Sequence, residues 1–275
     1  MIRFPIAKIN IGLNIVGVRS NGYHDLETVF YPVGLRDALE VYPMDEAFPS
    51  ETNCDIKVTN IAVEGEEKEN LVVRAYRMLA ERYSIPRLHV HLYKGIPTQA
   101  GLGGGSSDCA QMIVMLNELA GLGLSQQELM DYGLRLGADC PFFVMGKPAY
   151  GEGVGERLEP VRLDLSGHYV CIVKPQINVS TREAFSLVTP RKPERNCRDI
   201  VAQPLETWRG LLRNDFEESV FALHPEIGHI KERLYEEGAV YSSMSGSGSS
   251  VYGIFDEERD LSGVFEGMFC KTLSL

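Results

Sequence analysis

The stretch Gly101-Leu102-Gly103-Gly104-Gly105-Ser106-Ser107 constrains this 275-residue chain more than any other. It runs directly into an apolar-periodic segment, Cys109, Met112, Ile113, Leu116 and Leu119, that stops at Gly121. That spacing is a helix with one buried face. A glycine-rich loop opening a helix brings bare backbone up to the unpaired N–H groups of the first turn and to the positive end of the helix dipole. The ligand suited to such a start is an anion, and four glycines in five positions clear a length that fits several phosphate oxygens. The plainer alternative is a flexible turn capped by Ser106 or Ser107.

Missing motifs narrow the choice of phosphate loop. The chain has no Gly-x-x-x-x-Gly-Lys-Ser/Thr, and Ser106 stands where the third glycine of a dinucleotide fingerprint belongs. His-Arg-Asp and Asp-Phe-Gly are absent, which removes a protein kinase. None of Ser106, Ser107, Ser247 and Ser249 has glycine two residues away on both sides, which argues against a serine hydrolase.

A length of 275 residues, 44% of them hydrophobic, supports one large domain or two modest ones, and two are expected. No apolar run is long enough to span a bilayer, and Met1 to Pro5 does not open a signal peptide, so the expectation is a soluble, cytoplasmic protein with no membrane partner. Six scattered cysteines without a Cys-x-x-Cys pair read as reduced core thiols. The formal charge of -11 argues against nucleic-acid binding, so an anionic ligand must be held by local donors. His89 and His91 share one face of a strand but lack a third ligand nearby, and no metal site is expected.

Along the chain, Ala7 to Val16 alternates, with Ile9, Ile11, Leu13 and Ile15 opposite Lys8, Asn10, Gly12 and Asn14, as in a half-buried strand. Strands are expected at Leu39 to Tyr42 and Ile56 to Thr59, with an acidic loop from Asp45 to Glu51 between them. Asn70 reads as the N-cap of a helix through Tyr83, and Leu88 to Tyr93 is a strand feeding the glycine loop. Ser125 to Glu128 is a capping box for a helix that stops at Gly137. Tyr150 to Gly155 reads as a seam between domains. Beyond it come a strand from Tyr169 to Lys174, a polar loop from Pro190 to Asp199, two helices parted at Pro225, and strands near Val240 to Met244, Val251 to Phe255 and Cys270 to Leu275. The small-residue loop Ser245 to Ser250 reads as a hairpin turn.

Two residues acquire meaning as a pair. Lys8, flanked by Asn10 and Asn14, is poorly explained by core packing, although exposed strand lysines are ordinary. Asp139, in Leu136-Gly137-Ala138-Asp139-Cys140-Pro141, reads either as the N-cap of a short helix holding Pro141 or as a functional carboxylate. Phosphoryl transfer needs donors for the phosphates, a cation, and a carboxylate to orient the attacking hydroxyl, and this chain has a candidate for each.

Ile6-Ala7-Lys8-Ile9-Asn10 with Asn21-Gly22-Tyr23-His24, then Gly101 to Ser107, Leu136 to Pro141, and Ser245-Gly246-Ser247-Gly248 resemble, in order, the signature segments of the GHMP kinases. The resemblance covers essentially the whole chain. Its Lys-x-Asn strand followed by Gly-Tyr-His resembles the branch that acts on a cytidine-diphosphate-linked methylerythritol, and not the galactose, homoserine or mevalonate kinases. Ile6, Asn21 and Thr98-Gln99 depart from the usual pattern.

The resemblance implies an α/β (α+β) fold of two domains, an ATP-binding domain over 1–158 and a C-terminal domain over 159–275. It implies ATP with Mg2+ as cofactor and transfer to the tertiary 2-hydroxyl of the cytidyl substrate. Asp139 would be the base or orienting carboxylate, with Lys8 as its partner. Asn70, Lys94, Pro97, Ala100, Gly101, Leu102, Gly103, Gly104, Gly105, Ser106 and Ser107 would bind ATP, with Ser107 a hydroxyl that helps Mg2+ bridge the phosphates. Asn10, Tyr23, His24, Phe185, Gly246, Ser247 and Gly248 would bind the substrate, its cytosine lying between Tyr23 and Phe185 with His24 at its polar edge. The competing readings are a sibling small-molecule kinase and a nucleotide-binding regulator that no longer transfers phosphate.

Overall fold

The structure is a computed structural model that describes every residue except 21, 46, 48 and 49. Asn21 and part of the acidic loop from Asp45 to Glu51 therefore lie outside the described residues. In chain order the strands are β1 (Ile2–Arg3), β2 (Ile6–Val18), β3 (His24–Arg36), β4 (Ala38–Pro43), β5 (Cys54–Asn60), β6 (Leu88–Lys94), β7 (Ala149–Gly153), β8 (Arg157–Pro160), β9 (Tyr169–Lys174), β10 (Tyr241–Met244), β11 (Val251–Phe255) and β12 (Phe269–Ser274). The helices are α1 (Leu71–Ala80), α2 (Gly104–Leu119), α3 (Gln126–Leu134), α4 (Cys140–Met145), α5 (Thr181–Ala184), α6 (Cys197–Val201), α7 (Phe216–Leu223) and α8 (Pro225–Glu236).

These elements gather into two compact units. The first comprises Met1–Ala7, Leu35–Thr98 and Gly103–Gly146; the second comprises Lys8–Gly34, Gln99–Leu102 and Lys147–Leu275. The units differ from the sequential halves 1–158 and 159–275 because β2 and β3 join β7 and β8 in one sheet, which draws residues 8–34 into the unit of the C-terminal half.

The first unit holds the sheet ordered β1-β4-β6-β5. Strands β5 and β6 run parallel, as they must when a helix, here α1, makes the return crossover. Asn70 caps α1, its Oδ1 accepting the Val72 N–H at 2.9 Å. Ser125 and Glu128 form both bonds of the capping box on α3. The periodic residues Cys109, Met112, Ile113 and Leu116 of α2 pack on Leu39, Val90 and Leu92 of the sheet in one apolar core, with Leu119 partly buried at its edge.

The second unit holds two sheets, ordered β2-β3-β7-β8 and β10-β11-β9-β12. Its core joins Leu13 and Ile15 of β2 with Cys171, Val173, Val220, Ile227, Ile230 and Val251. All six cysteines are free thiols, five of them buried and Cys270 partly so. Burial raises the Cys54 thiol to about 12, which keeps it protonated. His89 and His91 are engaged with Asp55 and Thr59. Among the described residues no helix is long and apolar enough to cross a membrane.

Four points differ from the reading of the sequence. Strand β2 is buried on both faces from Ala7 to Leu13, polar residues included, so it is not half-buried. Strand β3 carries Asp25, Glu27, Pro32 and Gly34, residues that read against a strand. Glu27 is nonetheless buried, and it accepts Tyr150 Oη at 2.7 Å, Asn14 Nδ2 at 2.9 Å and the Cys197 N–H at 3.2 Å. Burial, together with Glu27, pushes the Tyr150 hydroxyl well up, so it stays a donor. The expected seam at Tyr150 to Gly155 is instead β7 and its turn, antiparallel to β3. Its glycines serve packing, since a Cβ at Gly151 would lie 2.6 Å from the Phe30 ring. The polar loop from Pro190 to Asp199 also differs, ending in the first turn of α6.

Candidate active site

Helix α2 begins without a side-chain cap. Its N-cap is Gly103, at φ +71°, and no side-chain capping bond is made there. The N–H groups of that turn have no intrahelical acceptor. Ser107 Oγ is buried with no hydrogen-bond partner. A buried hydroxyl without a partner is costly unless a ligand completes it, so this helix start fits an incoming phosphate and the cation carried with it.

Beneath the turn lies a buried ion triad that sequence reasoning missed. Lys94, which ends β6, donates to Asp37 and, at 2.7 Å, to Asp108 in α2. Asp37 also accepts the Gly95 and Ile96 N–H groups at 2.6 and 2.8 Å. Burial opposes the charge on Lys94, yet the two carboxylates outweigh it and its pKa is raised. Burial is also the largest influence on Asp108, and with Asp37 beside it carries that carboxyl up to about 8, against the pull of Lys94. Lys94 is thus engaged as a support under α2, with 2% of its surface exposed.

The glycines of the loop answer to different neighbours. A Cβ at Gly104 would lie 3.0 Å from Ile96 Cγ2 and 3.2 Å from Lys94 Nζ, both inside the protein. At Gly105 the nearest atom would be Leu71 Cδ1 at 3.8 Å, so this is the position with room above it. Gly101 has φ +71° and its Cβ would come within 1.8 Å of the Ser245 carbonyl oxygen. Pro97, Ala100 and Leu102 are buried. Leu102 and Ala100 offer carbonyls to the Lys8 and Ser250 N–H groups at 3.0 and 3.2 Å.

Asp139 is the N-cap residue of α4 with Pro141 in the first turn, but its side chain makes no capping bond. The alternative of a structural cap thus has the position and lacks the interaction. A side chain at Gly137 would meet Ser106 Oγ at 3.5 Å, so the segment that carries Asp139 runs past the start of α2.

In the second unit Lys8 is buried at 3% exposure, and Nζ donates to Asn10 Oδ1 at 2.6 Å and to the Gly101 carbonyl at 2.9 Å. The Phe30 ring centroid lies 5.5 Å from the ammonium. Ser245 Oγ donates to the same Gly101 carbonyl at 2.9 Å and accepts the Asn10 N–H at 3.3 Å. Asn214, unremarked in the sequence, donates to the Met244 and Gly246 carbonyls at 2.8 Å each and so fixes the Ser245-Gly246-Ser247-Gly248 turn. That turn does join two antiparallel strands, as its hairpin reading has it. Asn10 Oδ1 holds Lys8.

His24 stacks on Phe185 with centroids 4.4 Å apart, and Phe216 meets Phe185 edge-on at 4.7 Å. Tyr23 is 63% exposed.

Residues 70–147 match the GHMP kinases N terminal domain and residues 198–274 match the GHMP kinases C terminal domain. The class is therefore that of the GHMP kinases. A 4-diphosphocytidyl-2-C-methyl-D-erythritol kinase of Bacteroides thetaiotaomicron is 49% identical over 95% of this chain and 94% of its own length. One from Porphyromonas gingivalis is 42% identical over 95% and 94%. A crystal structure of 4-(cytidine 5'-diphospho)-2C-methyl-D-erythritol kinase matches with a TM-score of 0.80 at 31% identity, covering 100% of this chain and 99% of its own. The chain belongs to the family of 4-diphosphocytidyl-2-C-methyl-D-erythritol kinases within that class. A structure of L. major mevalonate kinase, with a TM-score of 0.71 at 16% identity, covers 100% and 96% and shares the fold.

Two outcomes follow from this geometry. Gly101→Ala forces a Cβ onto the Ser245 carbonyl at a left-handed backbone position, and urea unfolding should show a loss above about 2 kcal/mol. Gly105→Ala should keep full stability while weakening ATP binding. Equal stability of Gly101→Ala and wild type would show that the two small-residue loops do not depend on this contact. For Asp108, a folded pKa near 8 lies above its ordinary value of 3.8, so its contribution is complete below about pH 4 and is lost as pH rises towards 8. Asp108→Asn should flatten the melting temperature across that window, read by calorimetry from pH 4 to 9.

Proposed function

We propose that this chain transfers the γ-phosphoryl group of ATP to the tertiary 2-hydroxyl of 4-diphosphocytidyl-2-C-methyl-D-erythritol. The observation that carries the reading is the start of α2, an uncapped glycine turn with Ser107 Oγ buried and unpaired. The names of relatives at 42% and 49% identity supply the substrate.

In this reading the backbone from Gly103 to Ser107 receives the phosphates, with Gly105 the position closest to them. Ser107 Oγ stands ready for the Mg2+ that accompanies ATP, which when bound neutralises charge on the phosphate oxygens. Asn70 and Lys94 flank the adenosine side, Asn70 while capping α1 and Lys94 from beneath. The substrate 2-oxygen bonds to the γ-phosphorus as the bond to the bridging oxygen of ADP breaks. Asp139 orients that hydroxyl and takes its proton, and the Lys8 ammonium offsets the charge gathering near the attacking oxygen. An alcohol is a weak acid whose proton leaves late in a loose transition state, so an ionised aspartate suffices as acceptor. Tyr23 and Phe185 flank the cytosine, with His24 moving off the Phe185 face to its polar edge; Gly246, Ser247 and Gly248 close the substrate side.

The deciding measurement is ADP release with the cytidyl substrate, against galactose, homoserine and mevalonate as controls. Release with a control alcohol alone would overturn the substrate, and release with none would leave a nucleotide-binding protein. Asp139→Asn and Lys8→Ala should each lower turnover by about a hundredfold or more while ATP still binds. Near-normal turnover of folded Asp139→Asn would remove that carboxylate from the mechanism. Tyr23→Ala and Phe185→Ala should each weaken the cytidyl substrate by about 1 to 3 kcal/mol and spare ATP. His24→Ala should relax discrimination between cytidyl and uridyl forms. Weakened ATP with an unchanged substrate Michaelis constant would place the rings elsewhere.

A further inference from the structure

Thr28 lies in β3 with none of its surface exposed. Its hydroxyl donates its one proton to the Gly12 carbonyl at 2.5 Å. Gly12 sits at φ +71° inside β2, a conformation that side chains avoid. With that proton spent, Thr28 Oγ1 can only accept from its other neighbour, and Asn10 Nδ2 lies 3.0 Å away. An amide that gives Nδ2 to Thr28 must turn Oδ1 to the opposite side, and there Lys8 Nζ donates to it at 2.6 Å. The flipped amide would set two donors against each other at Lys8 and two lone pairs against each other at Thr28. The chain of proton directions therefore admits one orientation of Asn10 and one seat for the ammonium.

We infer that Thr28 is a positioning residue for phosphoryl transfer: by fixing which end of the Asn10 amide faces Lys8, it sets the place of the Lys8 ammonium. The inference rests on the proposed role of Lys8 in the transfer. It also accounts for a threonine buried at a position where a strand facing only apolar neighbours would carry valine.

The test compares Thr28→Val, which keeps the shape and removes the acceptor, with Thr28→Ser, which keeps both hydroxyl bonds. Thr28→Val should lower kcat by about ten- to a hundredfold with little change in either Michaelis constant, since an ammonium displaced by a fraction of an ångström loses its effect mainly in the transition state. Thr28→Ser should restore most of kcat. In the Lys8→Ala background Thr28→Val should cost nothing further, because the group it positions is gone. A threonine that only supports the fold would give losses that multiply, and that result overturns the inference, as does an unchanged kcat in Thr28→Val. Should Thr28→Val fail to fold, Thr28→Ala is read in the same cycle with the same two overturning results. If Lys8→Ala alone keeps wild-type turnover, the role of Lys8 fails instead, and the two failures are told apart.

Discussion

The buried contact of Lys94 with Asp37 and Asp108 decides where α2 begins. It ties the end of β6 and the residue before β4 to the first turns of α2, and Asp37 adds bonds to the next two backbone N–H groups after Lys94. Gly104 then rests against Lys94 Nζ and Ile96, so closely that a Cβ there would press on both. Removing Lys94 from this buried set strands carboxylate charge without its cation, a loss of about 3 to 5 kcal/mol, so the triad gives the helix start a single location. A site for several phosphate oxygens needs that definition, because donors displaced by an ångström no longer converge.

Within the second unit the same economy of donors and acceptors governs the Lys8 cluster. The Gly101 carbonyl accepts from both Lys8 and Ser245, and Ser245 in turn accepts from the backbone of Asn10. Three segments far apart in sequence thus share one small set of hydrogen bonds. The small residues on both sides are a consequence, since a Cβ at Gly101 would enter the Ser245 carbonyl and one at Gly246 would lie 3.3 Å from Asn10 Oδ1.

The sequence made α2, α3 and the capping residues Asn70 and Ser125 legible, because local propensity and the pattern of burial agree there. It concealed β3 and β7, whose carboxylates and glycines read as strand breakers until their buried partners are known. Lys8, Asp139 and the glycine loop stood out as residue types, while Lys94 and Asn10 were read by family likeness as ligand contacts. Their engagement with Asp108 and Lys8 follows from side-chain directions that no single-residue feature encodes. Asp37, Asp108, Thr28 and Asn214 lacked a local signal, each being a polar residue in an ordinary context whose partner lies elsewhere in the chain.

The division of the chain has a consequence for synthesis on the ribosome. Every residue of the first unit has been made by Gly146, whereas the second combines Lys8–Gly34 with Lys147–Leu275. Glu27 waits for Tyr150 and the Cys197 N–H, which follow it by 123 and 170 residues. At about 5 to 20 residues per second, β2 and β3 emerge on the order of ten seconds before β7. For that interval the polar stretch around Lys8, Asn10 and Asn14 has no completed sheet to enter, whereas every strand of the sheet that α2 packs on precedes α2 in the chain. The nascent protein therefore holds every residue of its first unit before β7, the strand that pairs with β3, has been made.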